Sequence, residues 1–208
     1  MQAWIQKILQ PIADKYYLKD IQQIVQTTSP IQSVSYPRLF YNLQYCCQTL
    51  HITDIPTIYV TPHIAGINAL SVSYQKETLI LLSPQATTLT DIEQRFILGH
   101  ELGHCQQGNL VAHIVLGLLD SINNLSESVG PLIEDAVNVP LKNWFRSTEF
   151  EADKAGYLCA PDINMVHTLF TKLGMKEQIT AFESYAEIDA THPLLLTRYD
   201  ELKKHIAL

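Results

Sequence analysis

Five consecutive residues constrain this chain more than any other stretch: His100-Glu101-Leu102-Gly103-His104, within the run QRFILGHELGHCQQGN at 94–109. Side chains four residues apart share one face of a helix, so both histidines can reach one metal ion with the glutamate beside them. This spacing is the HExxH zinc signature. Two neutral imidazoles suit Zn²⁺, and the adjacent carboxylate can take a proton from a water at the metal and pass it to a leaving amine.

The residues upstream predict that the signature lies on a helix. Thr90 and Glu93 have the spacing of a capping box, which marks a helix start. Apolar residues then recur at helical spacing, as expected for a helix that faces the core: Ile92, Phe96, Ile97, Leu98 and Leu102. The histidines therefore fall on the kind of element that the chemistry requires.

A third ligand must come from elsewhere, because catalytic zinc usually has three protein ligands and one open position. Gln107 and Leu110 occupy the positions where the metzincin pattern has a glycine and its third histidine, which excludes that class. The stretch 147–156, STEFEADKAG, places Glu149 and Asp153 four residues apart on one helix face. Glu149 can bind zinc while Asp153 accepts the outer N–H of a ligand histidine. Alone, such an acidic run is also typical of a solvated helix start; after an HExxH, the ligand interpretation is favoured.

HELGH followed by RSTEFEAD resembles the HtpX-like and CAAX prenyl protease metallopeptidases, the gluzincin family numbered forty-eight. The resemblance covers roughly residues 50–205, with softer matches at Asn68-Ala69 and at Thr191-His192-Pro193. It implies that the zinc ligands are His100, His104 and Glu149. It also implies that Glu101 is the general base and that the carboxylate of Asp153 holds a ligand imidazole.

The resemblance also implies roles for three further residues. His192 would be a catalytic residue that donates to the oxyanion of the tetrahedral intermediate. Asn68 and Arg198 would serve substrate binding, the first by holding substrate backbone with its amide and the second by anchoring the segment at 191–193 through an ion pair. Two of them have a structural alternative: Asn68 suits a turn or a strand start, and the Thr-His-Pro segment that contains His192 suits a helix start.

The chain departs from the family pattern in two places. The best-known members are embedded in membranes, but the longest apolar run near the site, 114–119, is far short of the roughly twenty residues that a spanning helix needs. We therefore expect no transmembrane segment. Asn109 stands where many members carry a histidine, and because that residue is not a ligand, the expected zinc site is unaffected.

Composition narrows the class of protein further. With 208 residues, 47% of them hydrophobic and 17% charged, the chain can form one sizeable core. The net charge of −7 is spread along the chain without a basic stripe, so nucleic acid is not an expected partner. Four cysteines without ligand or disulfide spacing indicate reduced thiols, and the N-terminus does not read as a secretory signal, so we expect a cytoplasmic protein.

The order of elements predicts a largely helical α+β fold with a small, mostly antiparallel sheet. The resemblance implies that this fold is of the zincin-like metallopeptidase type, with the sheet packed on the active-site helix. Residues 1–50 form a helical N-terminal extension and 51–208 the metallopeptidase domain; apolar spacing in 2–27 indicates two amphipathic helices. Short β-rich runs at 56–60, 67–72 and 78–82 predict three strands. The edge strand would hold a peptide substrate as an added strand.

These features predict a zinc-dependent metalloendopeptidase with one zinc ion per chain. A second class of function stays open at this stage, namely a latent or non-catalytic zinc-binding module that recognises peptides. A closed structural site would need a fourth protein ligand, and no evident one lies near these motifs. The substrate and the oligomeric state cannot be read from the sequence.

Overall fold

The computed structural model of the chain describes residues 19, 21–74, 77–106, 139–180 and 193–207, apart from the side chains of residues 73 and 139–145. It shows a mixed α/β fold. Residues 21–27 are helical. The further elements are α1 (Pro37–Thr49), β1 (Thr57–Val60), β2 (Ala69–Tyr74), β3 (Glu77–Leu82), a short 3₁₀ helix (Gln85–Thr88), α2 (Asp91–Gln106), α3 (Val139–Cys159), α4 (Ile163–Lys172) and α5 (Leu195–Ile206).

The three predicted strands are confirmed, and they form one sheet in the order β1-β3-β2. The β2–β3 pair is antiparallel, as predicted, whereas β1 runs parallel to β3, so the sheet is mixed rather than mostly antiparallel. Side chains alternate between two buried faces, because successive residues of a strand point to opposite sides. Ile58, Ile80 and Leu82 face the main core, while Tyr59, Leu79 and Leu81 pack with Ile21 and Ile24.

Helices α2 and α3 cross at very short range because both present small residues at the crossing. A Cβ atom added to Gly99 would lie 2.8 Å from Cys159 Sγ, and one added to Gly103 would lie 2.9 Å from the Ala155 Cβ. On α3, a Cβ at Gly156 would lie 2.8 Å from the carbonyl oxygen of Phe96. This approach lays the acidic part of α3 directly against the face of α2 that carries the two histidines.

A buried carboxylate links the start of α2 to the end of α4. The Thr90 backbone N–H and hydroxyl donate to Glu93 Oε2 at 3.0 and 2.8 Å, which confirms the predicted helix start. Lys172 Nζ lies 2.5 Å from Glu93 Oε1. Burial by itself raises the pKa of Glu93, but the hydrogen bonds from Lys172 and Thr90 lower the pKa by more, so its net shift is downward. Asp162 caps α4 by accepting from the backbone N–H groups of residues 164 and 165.

A buried asparagine joins α1 to α2. The Asn42 amide nitrogen donates to Asp91 Oδ1 at 3.0 Å and to Gln94 Oε1 at 2.9 Å, while its oxygen accepts from Arg95 Nε at 2.9 Å. Leu39 and Leu43 of the same helix lie in the main core. Helix α1, which belongs to the predicted extension 1–50, thus packs on the remainder of the fold; the boundary at residue 50 stays a prediction.

Several sequence expectations concern residues outside the described ranges. These are the first predicted amphipathic helix before residue 19, the apolar run 114–119, Asn109 and the segment 191–192. Within the described ranges, no helix has both the length and the apolar content needed to cross a membrane.

We predict that Gly156→Ala destabilises the protein, although alanine is intrinsically better than glycine in a helix by about 1 kcal/mol. The added methyl group meets the Phe96 carbonyl oxygen and forces the two helices apart, which costs about 1–3 kcal/mol. Urea unfolding of the metal-free protein measures this change. The control is Leu158→Ala on the exposed face of α3, which should stay within about 0.5 kcal/mol of the parent. A Gly156→Ala protein more stable than the parent would contradict the close crossing.

Candidate metal centre

The two histidines of the HExxH signature lie together on one face of α2. Their Nε2 atoms are 3.1 Å apart, and the rings meet edge to face with centroids 4.7 Å apart at 89°. His104 is buried and His100 is partly buried. The structure therefore brings together the pair that the four-residue spacing predicts.

Glu149 of α3 completes a three-residue cluster with them. Its Oε1 lies 3.3 Å from His104 Nε2, and its Oε2 lies 3.7 Å from His100 Nε2. One donor atom from each residue falls within 4.8 Å of the others. Tetrahedral zinc with bonds of about 2.0–2.2 Å holds its ligand atoms roughly 3.4 Å apart, so the cluster has the dimensions of a zinc site.

Asp153 lies one turn further along α3 and holds the outer nitrogen of His100. The Asp153 Oδ1 to His100 Nδ1 distance is 2.9 Å. Burial lowers the pKa of His100, but the hydrogen bond to Asp153 and the charges of Asp153 and Glu149 raise it by more, so the net shift is upward. With its Nδ1 facing a carboxylate, His100 presents Nε2 to the cluster.

Arg198 of α5 binds the carboxylates of two α3 residues, Glu149 and Asp153. Its Nε donates to Asp153 Oδ2 at 2.8 Å and its Nη2 to Asp153 Oδ1 at 2.6 Å, while Nη1 lies 2.8 Å from Glu149 Oε2. Burial alone raises the pKa of Asp153, but the Arg198 charge and hydrogen bonds lower it by more. The same pairs raise the pKa of Arg198 against the effect of burial. The guanidinium fork thus holds Asp153 in its charged form and fixes the position of Glu149.

The expected base, Glu101, is buried, with 6% of the residue exposed, and it lines a cleft of about 400 Å³ together with His100 and Glu149. Its Oε2 has no hydrogen-bond partner among the described residues. Such orphaned buried oxygens are rare in folded proteins and call for an explanation, such as a catalytic role or a bound ion. Cys105 lies one helical turn after Glu101, and burial, followed by the Glu101 charge, raises the pKa of its thiol to about 12.

Asn68 lies at the same cleft but immediately before β2, not within it. Its side-chain oxygen accepts from the Ala69 N–H at 2.8 Å, and its backbone N–H donates to Ser83 Oγ at 3.1 Å. It therefore shapes the start of the strand while it borders the cleft. His192, the expected oxyanion donor, lies outside the described residues.

Sequence reasoning missed two features that build the centre. One is the glycine pair of α2, Gly99 and Gly103, whose four-residue spacing opposite alanines signals a close helix crossing. The other is the set of partners of Arg198: the resemblance assigns this residue to the segment 191–193, and the structure shows that it binds the carboxylates of Glu149 and Asp153. No local pattern indicates that pairing, because the residues are far apart in sequence.

The fold and the cluster define a class: a mixed α/β protein with a buried His-His-Glu set suited to a divalent metal, beside a carboxylate in an open cleft. Residues 42–206, about four-fifths of the chain, match the model of Peptidase family M48. The chain belongs to this family, and the resemblance seen in the sequence is confirmed.

A curated relative is the "Plastoglobule-localized metallopeptidase 48, chloroplastic" of Arabidopsis thaliana, which is 26% identical over 121 residues. The matched stretch is 58% of this chain and 35% of the relative. The chain thus spans about a third of that relative's length, and the similarity supports the family rather than the activity of the whole relative.

We predict that Arg198→Met lowers the free energy of unfolding of the metal-free protein by about 3–5 kcal/mol, because it leaves two buried carboxylates without their cation. The free energy of unfolding of Arg198→Lys should fall between those of the parent and Arg198→Met, since an ammonium cannot reproduce the guanidinium fork. The control is Lys204→Met on the same helix, an exposed lysine whose loss should leave the stability close to that of the parent. Chemical denaturation in the presence of a chelator measures all three. Equal stability of Arg198→Met and Lys204→Met would contradict the assignment.

Proposed function

We propose that the protein is a zinc-dependent metalloendopeptidase with a zincin-like site. The carrying observation is the His100, His104 and Glu149 cluster with the Glu101 carboxylate beside it in the same cleft. Two imidazoles and one carboxylate form a donor set typical of catalytic zinc, and they would hold the ion here. When bound, zinc supplies Lewis acidity, which makes a water nucleophilic near neutral pH and polarises the scissile carbonyl.

Glu101 acts as the general base. It takes a proton from the attacking water and returns it to the leaving amine, a task for which its carboxylate must face the reacting atoms rather than a partner in the protein. The orphaned Oε2 at the cleft supports this role. It also favours an enzyme over a zinc-binding recognition module, because a structural site has no use for a base and usually has four protein ligands.

Asp153 and Arg198 position the proposed ligands. Asp153 holds the Nδ1 side of His100, so that the Nε2 lone pair faces the proposed ion. Arg198 binds Oε2 of Glu149. Because Arg198 takes that oxygen, Glu149 Oε1 is the one turned toward His104 and the proposed ion. In this proposal Arg198 therefore acts by positioning Glu149 and Asp153.

The proposed substrate is a peptide bound as an extended strand. Strand β2 is an edge of the sheet in the described part of the chain, and its first residue borders the cleft, so an added strand can reach the cluster. Asn68, at this border, is proposed to contact substrate backbone, and His192 remains the proposed oxyanion donor.

Three broader assignments are also proposals. The metallopeptidase domain would span 51–208, with 1–50 as a helical extension packed on it. We propose the cytoplasm as the location. We also propose that nucleic acid is not a partner, which the even spread of a net charge of −7 supports. The name of the Arabidopsis relative places that protein in chloroplast plastoglobules.

We predict that Glu101→Gln retains zinc and loses peptide cleavage by about 10²–10⁴-fold, because the amide keeps the shape of the side chain but cannot accept the proton. Zinc content by mass spectrometry and casein hydrolysis, measured on the same samples, test both halves. Cleavage near the parental rate would sink the assignment of Glu101 as the base.

We predict that Glu149→Gln lowers the zinc content after dialysis, whereas Glu151→Gln does not. The two glutamates are two residues apart on α3, but Glu149 faces the cluster while Glu151 is exposed and pairs with Lys154 at 2.6 Å. The parent should also unfold at a lower temperature after chelation, because an ion that binds only the folded state stabilises it. Equal zinc retention by the two variants would show that Glu149 is not a ligand.

A further inference from the structure

A second, smaller cavity opens beside the cleft that contains the cluster. It has a volume of about 130 Å³ and shares with the cleft a rim formed by Asn68, Ala69, His100, Glu101 and Arg198. A group that enters it must pass within reach of the proposed base. The cavity therefore adjoins the reacting centre rather than forming a separate site.

The inner walls of this cavity are apolar. They combine α2, the end of α4 and the start of α5 through Phe96, Ile97, Phe170, Leu173 and Leu195. Phe96 and Phe170 are fully buried and meet edge to face with centroids 5.7 Å apart, so the floor is rigid. An apolar cavity of roughly 150 Å³ accommodates benzene, and a space of 130 Å³ thus suits one side chain of about the size of leucine or phenylalanine.

We propose that this cavity binds one apolar side chain of the substrate next to the scissile bond, and that Leu173 and Leu195 determine which side chain is accepted. The inference rests on the proposed peptidase function. The two leucines are partly exposed, whereas the two phenylalanines are locked in the core, so the leucines form the wall that can vary in size. Their replacement should change selectivity without touching His100, His104 or Glu149.

Chemistry also argues for a neutral apolar group. The Arg198 charge at the rim is already matched by Glu149 and Asp153, and the inner walls of the cavity carry no charged side chain. A charged side chain inside the cavity would lose its hydration and find no partner on the apolar walls, which is costly. Glycine or alanine would leave the space unfilled. The substrates selected should therefore carry leucine, methionine or phenylalanine at that position.

The first test measures binding without requiring cleavage. N-acetyl-leucinamide and N-acetyl-glycinamide are titrated into the zinc-loaded and the metal-free protein and followed by NMR. We expect the leucine compound to bind at least about tenfold more tightly in both forms. Leu173→Trp fills the cavity and should abolish this preference, whereas Leu158→Trp, which changes an exposed leucine on α3, should retain it. Leu195→Ala enlarges the cavity and should shift the preference toward N-acetyl-tryptophanamide, with folding of each variant verified by circular dichroism.

The second test maps cleavage sites in a peptide mixture by mass spectrometry. Cleavage next to leucine, methionine or phenylalanine that is lost in Leu173→Trp supports the inference. Cleavage without apolar preference overturns it and leaves the proposed function intact. Equal binding of the two capped amino acids, or a preference unchanged in Leu173→Trp, also overturns it. Leucine-selective binding that depends on Leu173, in a protein that cleaves no peptide, supports the cavity and counts against the peptidase function alone.

Discussion

The close crossing of α2 and α3 is the constraint on which the rest of the site depends. Side chains as short as those of aspartate and glutamate can meet the imidazoles of α2 only if the two backbones nearly touch. Gly99, Gly103 and Gly156 permit that approach, because a Cβ at any of them would lie within 2.9 Å of an atom of the facing helix. The HExxH stretch therefore contributes to helix packing as well as to the proposed metal site: its two histidines belong to the cluster, and its Gly103 contacts α3.

Electrostatics explains how so many ionisable groups can share a buried site. Glu101, Glu149 and Asp153 are all buried, and among the described residues Arg198 is the guanidinium that faces them. Three formal negative charges against one positive charge leave an excess that a divalent cation would balance. Charges removed from water are tolerated only when paired or bound to metal, so the proposed ion would balance the charge of the site as well as supply its chemistry.

Local sequence patterns predicted most of the elements that carry the site. The helix start at Thr90 and Glu93 and the three strands follow from short-range rules, and the structure confirms them. Spacing also placed His100, His104, Glu149 and Asp153 on shared helix faces. What it could not give was long-range pairing: the parallel β1–β3 contact and the Arg198 partners depend on tertiary packing, which no local pattern encodes.

The architecture separates the proposed chemistry from the proposed selectivity. The cluster is held by short contacts between α2, α3 and Arg198, where small changes of geometry disturb several charges at once. The side cavity draws its variable wall instead from the end of α4 and the start of α5, through aliphatic residues with no polar duty. Because this wall shares no charged group with the cluster, a substitution in it can change the preference while the ion pairs of the centre stay intact. A single arrangement of ligands can in this way serve substrates that differ at one side chain.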